Sequence, residues 1–252
     1  MKRFQIRVAD CVIECIHNYD ALPDCCKNYV TGTTTPDAVI NITEDDIVYE
    51  KQRYELTARI EGREVCHYED AIYEIAAANR LVSQKLLDFG TLLMHGSAVA
   101  VDRQTFIFTA KSGTGKSTHV SFWKEMFGEK ATIVNDDKPF LKFTQDEILV
   151  YGSPWCGKEG ENTNCCVPLR AICILKQASK NRIKRISFEE ALPTLMAQIY
   201  RPQEQILLLK VMELIEQLKG KADFYVLECR PEIEAAHIAY EAMKCKQVGM
   251  LK

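Results

Sequence analysis

The chain has 252 residues, 47% hydrophobic and 27% charged, which suits a globular protein with a full core and excludes a disordered one. Its 32 basic and 35 acidic residues leave a net charge of -3, so no basic field points to nucleic acid or to an anionic membrane. No apolar run reaches membrane-spanning length and the start, MKRFQIRVADCVIECI, lacks the apolar core of a signal peptide, so a cytoplasmic protein is expected, its eleven cysteines reduced.

Residues 4–16 and 38–50 are rich in β-branched side chains and partly alternate, which predicts strands on either side of the loop TGTTTP at 31–36. Residues 1–67 therefore read as a β-rich N-terminal region and 68–252 as the main domain. From Tyr68 to Leu93 apolar residues recur at helical spacing (Ile72, Ile75, Ala76, Leu81, Leu86, Leu87), predicting a long helix that leads into His95-Gly96-Ser97. A strand ending near Thr109, a helix from about Gly115 to Phe127 and a strand ending at Asn135-Asp136-Asp137 follow. A strand pair over 138–152 then precedes SPWCGKEGENTN, 153–164, whose glycines and polar residues read as a mobile loop. AICILK and NRIKRIS read as strands, 188–199 and 202–219 as helices, DFYVLEC as a strand and PEIEAAHIAYEAMK as a closing helix. The cysteines show no C-x-x-C spacing, which argues against a zinc site and for small buried apolar side chains.

The stretch FTAKSGTGKSTHV, 108–120, is hard to explain by packing. Two glycines, Gly113 and Gly115, let successive backbone N–H groups turn inward at a helix start, making a nest for phosphate. Ser112, Gly113, Thr114, Gly115, Lys116, Ser117 and Thr118 are the expected nucleotide contacts, with Lys116 on phosphate and Ser117 where magnesium would sit. The pattern G-x-x-x-x-G-K-[ST] is met with Ala110 in place of its first glycine. Downstream, Asp136 and Asp137 end an apolar strand. One such carboxylate can hold magnesium and the other can take a proton from an attacking hydroxyl.

The order His95-Gly96-Ser97, SGTGKST, NDD, a G-S-P-W loop and PLRAICILK resembles the HPr kinase/phosphorylase family, in particular its small relatives in peptide-modification gene clusters. The resemblance covers roughly 70–245 and implies a mixed α/β fold, with the P-loop on a twisted mixed sheet of the kind shared with phosphoenolpyruvate carboxykinase. It also implies phosphoryl transfer from ATP, with Mg2+, to a serine-type hydroxyl of a peptide, protein or small molecule. Lys116 and Ser117 match the family's phosphate lysine and magnesium hydroxyl, Asp136 its base, and His95 a histidine near the transferred phosphate; Asp137 would lie beside the metal with Ser117. Glu159 stands only by position for a later glutamate, and Lys158 could reach the site from its loop. The family's glycine-arginine-asparagine signature is missing, with Arg230-Pro231 near its place.

Two alternatives stand beside the kinase. A carboxykinase-like lyase would need a second metal site and arginines for a dicarboxylate, and only the isolated Arg170 and Arg201 stand out. A nucleotide-dependent binding protein with little turnover could use the basic run KQASKNRIKRIS, 176–187, to dock an acidic peptide, although such runs are commonly solvated. A homo-oligomer is compatible with the sequence.

Overall fold

In a computed structural model that describes residues 1–244, the chain divides into two compact units, Met1–Phe89 and Gly90–Lys252. The first holds strands β1 (Lys2–Val8), β2 (Cys11–His17) and β3 (Ala38–Asn41) and helices α1 (Ala21–Cys25), α2 (Glu44–Ile60) and α3 (Asp70–Leu86). β1 and β2 form an antiparallel hairpin whose two turn residues, Ala9 and Asp10, both have positive φ, and β3 adds parallel to β2.

Two expectations change here. The strand expected over 38–50 stops at Asn41, because Thr43 and Asp46 form a reciprocal capping box and three acidic residues fill the first turn of α2. The helix expected from Tyr68 through Leu93 ends at Leu86; a short 3-10 turn (Leu87–Phe89) and Gly90, at φ 64°, turn the chain into strand β4 (Thr91–Leu93). The division consequently falls at Phe89/Gly90 rather than at 67/68, and the first unit is mixed rather than β-rich. α3 buries Tyr73, Ala77, Ala78, Val82 and Leu86, its Arg80 reaches Asp46 and Glu50 of α2 at 2.7 and 2.6 Å, and its Glu74 accepts from the backbone N–H of Asn18 and Tyr19. Those contacts tie it to the N-terminal strands and helices.

The second unit is built on a mixed sheet. Its strands after β4 are β5 (Ser97–Val101), β6 (Gln104–Thr109), β7 (Thr132–Asn135), β8 (Phe140–Phe143), β9 (Ile148–Tyr151), β10 (Cys166–Gln177), β11 (Arg182–Ile186) and β12 (Asp223–Cys229). They run in the order β4-β8-β9-β10-β6-β5-β7, with β12 also on β10 and β11 on β12. β6, β10 and β12 are parallel, while β5 is antiparallel to both β6 and β7. β6 and β7 therefore point the same way and deliver their C-terminal ends to one edge of the sheet, with β5 starting between them. Helices α4 (Lys116–Phe127) and α7 (Ile233–Met243) close one core around Phe106, Phe108, Trp123 and Tyr225. Helices α5 (Phe188–Gln198) and α6 (Gln205–Glu216) complete the unit. Among the described residues no helix is long and apolar enough to cross a membrane.

Candidate functional site

The loop from Ala110 to Gly115 leaves β6 and enters α4 at Lys116, as the residue pattern predicts. Gly113 and Gly115 adopt φ of 79° and 102°, angles that favour glycine. Lys111 and Thr114 close a small turn, Thr114 Oγ1 donating to Lys111 O at 2.7 Å. Lys116 is only 7% exposed and its ammonium donates to Ala110 O at 3.2 Å. Burial pushes its pKa down, Asp137 opposes that, and Lys138 adds to it. Lys116 thus opens α4 with one carbonyl partner, beside a helix N-terminus whose partial charge is positive.

His95, Gly96 and Ser97 are stitched between the two strand ends. Thr109 Oγ1 donates to His95 O at 2.8 Å, Gly96 N–H to Asp137 O at 2.9 Å and Ser97 Oγ to Asp136 O at 2.6 Å. A Cβ on Gly96 would come within 3.1 Å of Phe108 O, so that close approach needs the glycine. The His95 ring spans from Asp137 Oδ1, 3.2 Å from Nε2, to Gln198 Oε1, 2.7 Å from Nδ1.

The two aspartates take different environments. Asp136, 4% exposed, turns into a cleft of about 500 Å³ that it lines with Ser117, Thr118, Lys124, Glu159 and Glu161 among others. Its Oδ1 accepts the Gly157 N–H at 2.5 Å, whereas the Glu161 N–H stands off Oδ2 at 3.4 Å. Burial raises its pKa, and those two backbone donors only partly offset the effect. Asp137 is engaged by His95 and by the Lys138 ammonium. Burial works against its ionisation, but these two partners outweigh it and hold the carboxyl far below the usual range.

Three participants escaped the sequence reading. Asn135 is fully buried: its Nδ2 donates to Ser153 O and Trp155 O at 3.1 and 3.2 Å, and its Oδ1 accepts the Asp137 and Lys138 N–H groups. The loop expected over 153–164 is fixed at its start, where Ser153 and Trp155 are buried and bonded, while 158–160 are exposed. Gly157 and Lys138 complete the set, and only the tertiary pairing of 135–138 with 153–161 reveals either.

The other expected residues lie as follows. Glu159 does line the cleft, while Lys158 is exposed on its rim loop. Arg170 is buried against Asp223, Nη1 to Oδ2 at 2.5 Å, and Arg185 takes the other carboxylate oxygen, so Arg170 is built into the sheet. In the basic run 176–187, Lys184 faces Glu190 at 3.6 Å, Arg185 pairs with Asp223, and Arg182 sits in register with Glu228 on the neighbouring strand. Of the eleven cysteines, ten are free thiols and Cys245 lies outside the described residues.

No family model matches the chain, and no curated protein matches it either. Among solved structures, the Hpr(Ser) kinase/phosphatase from Coxiella burnetii matches at 13% identity, over 50% of this chain and 94% of that one, with a TM-score of 0.27. A likeness that slight decides neither fold nor activity. The site's own geometry has to.

Proposed function

We propose that this protein is a magnesium- and ATP-dependent kinase that moves the γ-phosphoryl group to a hydroxyl of a peptide, protein or small molecule. One observation carries the reading: a glycine loop with a buried, nearly unpartnered Lys116 sits at the same sheet edge as Asp136, which shares a single cleft with Ser117. A loop alone speaks only for nucleotide binding. The buried carboxylate beside it adds a group that can take a proton.

The donor set fits magnesium. Ser117 offers a hydroxyl and Glu159 a carboxylate in the same cleft, while Glu161 beside them is paired with Lys124 at 2.5 Å. Among the described residues no cluster of three or more His, Cys, Asp or Glu side chains forms a ready-made cage. That suits an ion that keeps its waters and is held largely by phosphates. When bound, magnesium would neutralise charge on the β- and γ-phosphate oxygens. Asp137, expected beside the metal, is committed to His95 and Lys138, so this reading gives the metal to Ser117 and Glu159.

In the reaction, the nest and Lys116 hold the phosphates in line. The bond from the γ-phosphorus to the bridging oxygen breaks and leaves its electron pair on ADP. A bond from the acceptor oxygen to phosphorus forms, and the hydroxyl proton passes to Asp136. A raised carboxyl pKa favours that role, and its Oδ2 is the oxygen less tied by backbone donors.

The test is γ-labelled ATP with magnesium and an array of hydroxyl-bearing peptides, alongside calorimetric titration of ATP. Label on a hydroxyl, lost in Asp136→Asn while ATP affinity is kept, is the expected result. ATP binding with no label transfer would favour a nucleotide-dependent binding protein, and no ATP binding would remove both readings.

A further inference from the structure

Asp137 is the hub of a compact cationic cluster. His95 Nε2 lies 3.2 Å from its Oδ1, and the Lys138 ammonium is paired with its Oδ2. Through His95, whose carbonyl accepts Thr109 Oγ1 at 2.8 Å, the cluster is joined to the end of β6, from which the glycine loop leaves. Two basic side chains, His95 and Lys138, thus flank one carboxylate at the sheet edge that also carries the glycine loop and Lys116.

Lys138 is also unusually well fixed at its base. Its N–H donates to Asn135 Oδ1 at 2.5 Å, and its carbonyl accepts Ser153 Oγ at 2.7 Å. The following residue, Pro139, accepts the Met94 N–H at 3.1 Å. The backbone is locked on both sides, while the side chain remains 35% exposed with its ammonium on Asp137. A merely solvated surface lysine needs no such anchoring. A cation that must meet a group in a set position does, because preorganised charge acts without reorganising when the reaction occurs.

We propose that Lys138 is a catalytic residue of the phosphoryl transfer, its ammonium moving from Asp137 to an equatorial oxygen of the γ-phosphoryl group as charge spreads over that group. This rests on the kinase reading and extends it, since Lys116 then holds the β- and γ-phosphates in the ground state while Lys138 acts mainly on the group in flight. Lys138 gives up no proton. The bonds made and broken are those already described, and Asp137 remains on His95 when Lys138 leaves it.

The test compares the ground state with a mimic of the group in flight. Affinities for ADP with magnesium, and for ADP with magnesium and aluminium fluoride, are measured on wild type, Lys138→Met and Lys138→Arg. Wild type should tighten on adding aluminium fluoride. Lys138→Met should bind ADP within about twofold of wild type yet lose roughly tenfold or more of that tightening, and Lys138→Arg should keep part of it. If Lys138→Met does not fold by circular dichroism, Lys138→Gln, which retains a polar partner for Asp137, carries the same comparison. Equal tightening in wild type and the neutral variant overturns the role of Lys138 and leaves the kinase reading standing. A wild type that binds no ADP, or binds it without tightening, overturns that reading and the role of Lys138 with it.

Discussion

Acidification should weaken the second unit through His119, which lies in the helix that carries the phosphate loop. The ring is 4% exposed, packs on Phe108 with centroids 4.4 Å apart, and its Nε2 accepts the Trp123 Nε1–H at 3.2 Å. Burial pushes its pKa down to about 4 from an ordinary value of 6.5. The unfolded chain therefore binds more protons than the folded one between those values, and stability falls as pH falls through that window, levelling off below it. For that shift the loss is about 2 kcal/mol between pH 7 and pH 5, and about 3 kcal/mol by pH 4. Carboxylates titrate in the same range, so the measurement is a difference between wild type and His119→Gln, whose amide oxygen can still accept from Trp123. Both tryptophans, Trp123 and Trp155, lie in the second unit, so urea unfolding followed by tryptophan fluorescence, in chelator and without nucleotide, reads that unit alone. Wild type should lose that additional stability relative to the glutamine variant between pH 7 and pH 5. Parallel pH dependences would refute a neutral, buried His119.

Other outcomes follow from the site and the thiols. Lys116→Ala should keep its melting temperature within a few degrees while phosphoryl transfer drops by on the order of 3 kcal/mol or more in the transition state, read by calorimetry and labelled ATP. In Gly157→Ala the new Cβ would meet the Asp136 carboxyl at 3.2–3.3 Å, so transfer should fall roughly ten- to a hundredfold by steady-state assay with ATP affinity little changed. Thiol reagent on native protein should modify the exposed Cys66 and Cys166 first, while Cys15, whose pKa burial raises to about 12, reacts only on unfolding; early loss of Cys15 by mass spectrometry would contradict its burial.

The glycine loop between β6 and α4 was legible in the sequence because its backbone requirements are local. Gly113 and Gly115 are needed for backbone angles, Lys116 and Ser117 follow at fixed spacing, and the apolar strand and helix on either side are contiguous with them. The strand ending at Asn135-Asp136-Asp137 was legible for the same reason. The capping box of α2 was equally local, in Thr43 and Asp46, but β-branched residues nearby outweighed it in the strand reading. What the sequence could not decide is which aspartate turns into the cleft. One residue of register separates them, and the choice is made by Gly157 and Glu161 on one side and by His95 and Lys138 on the other. His95 and Asp137 are 42 positions apart and Gln198 is a further 61 beyond Asp137, so no spacing rule joins them. His95 and Asp137 meet because β5 is antiparallel to both β6 and β7, which brings the start of one strand and the ends of two others to a single edge, and the end of α5 adds Gln198. Residue types told the chemistry available, and only the pairing of distant strands decided which side chains share it.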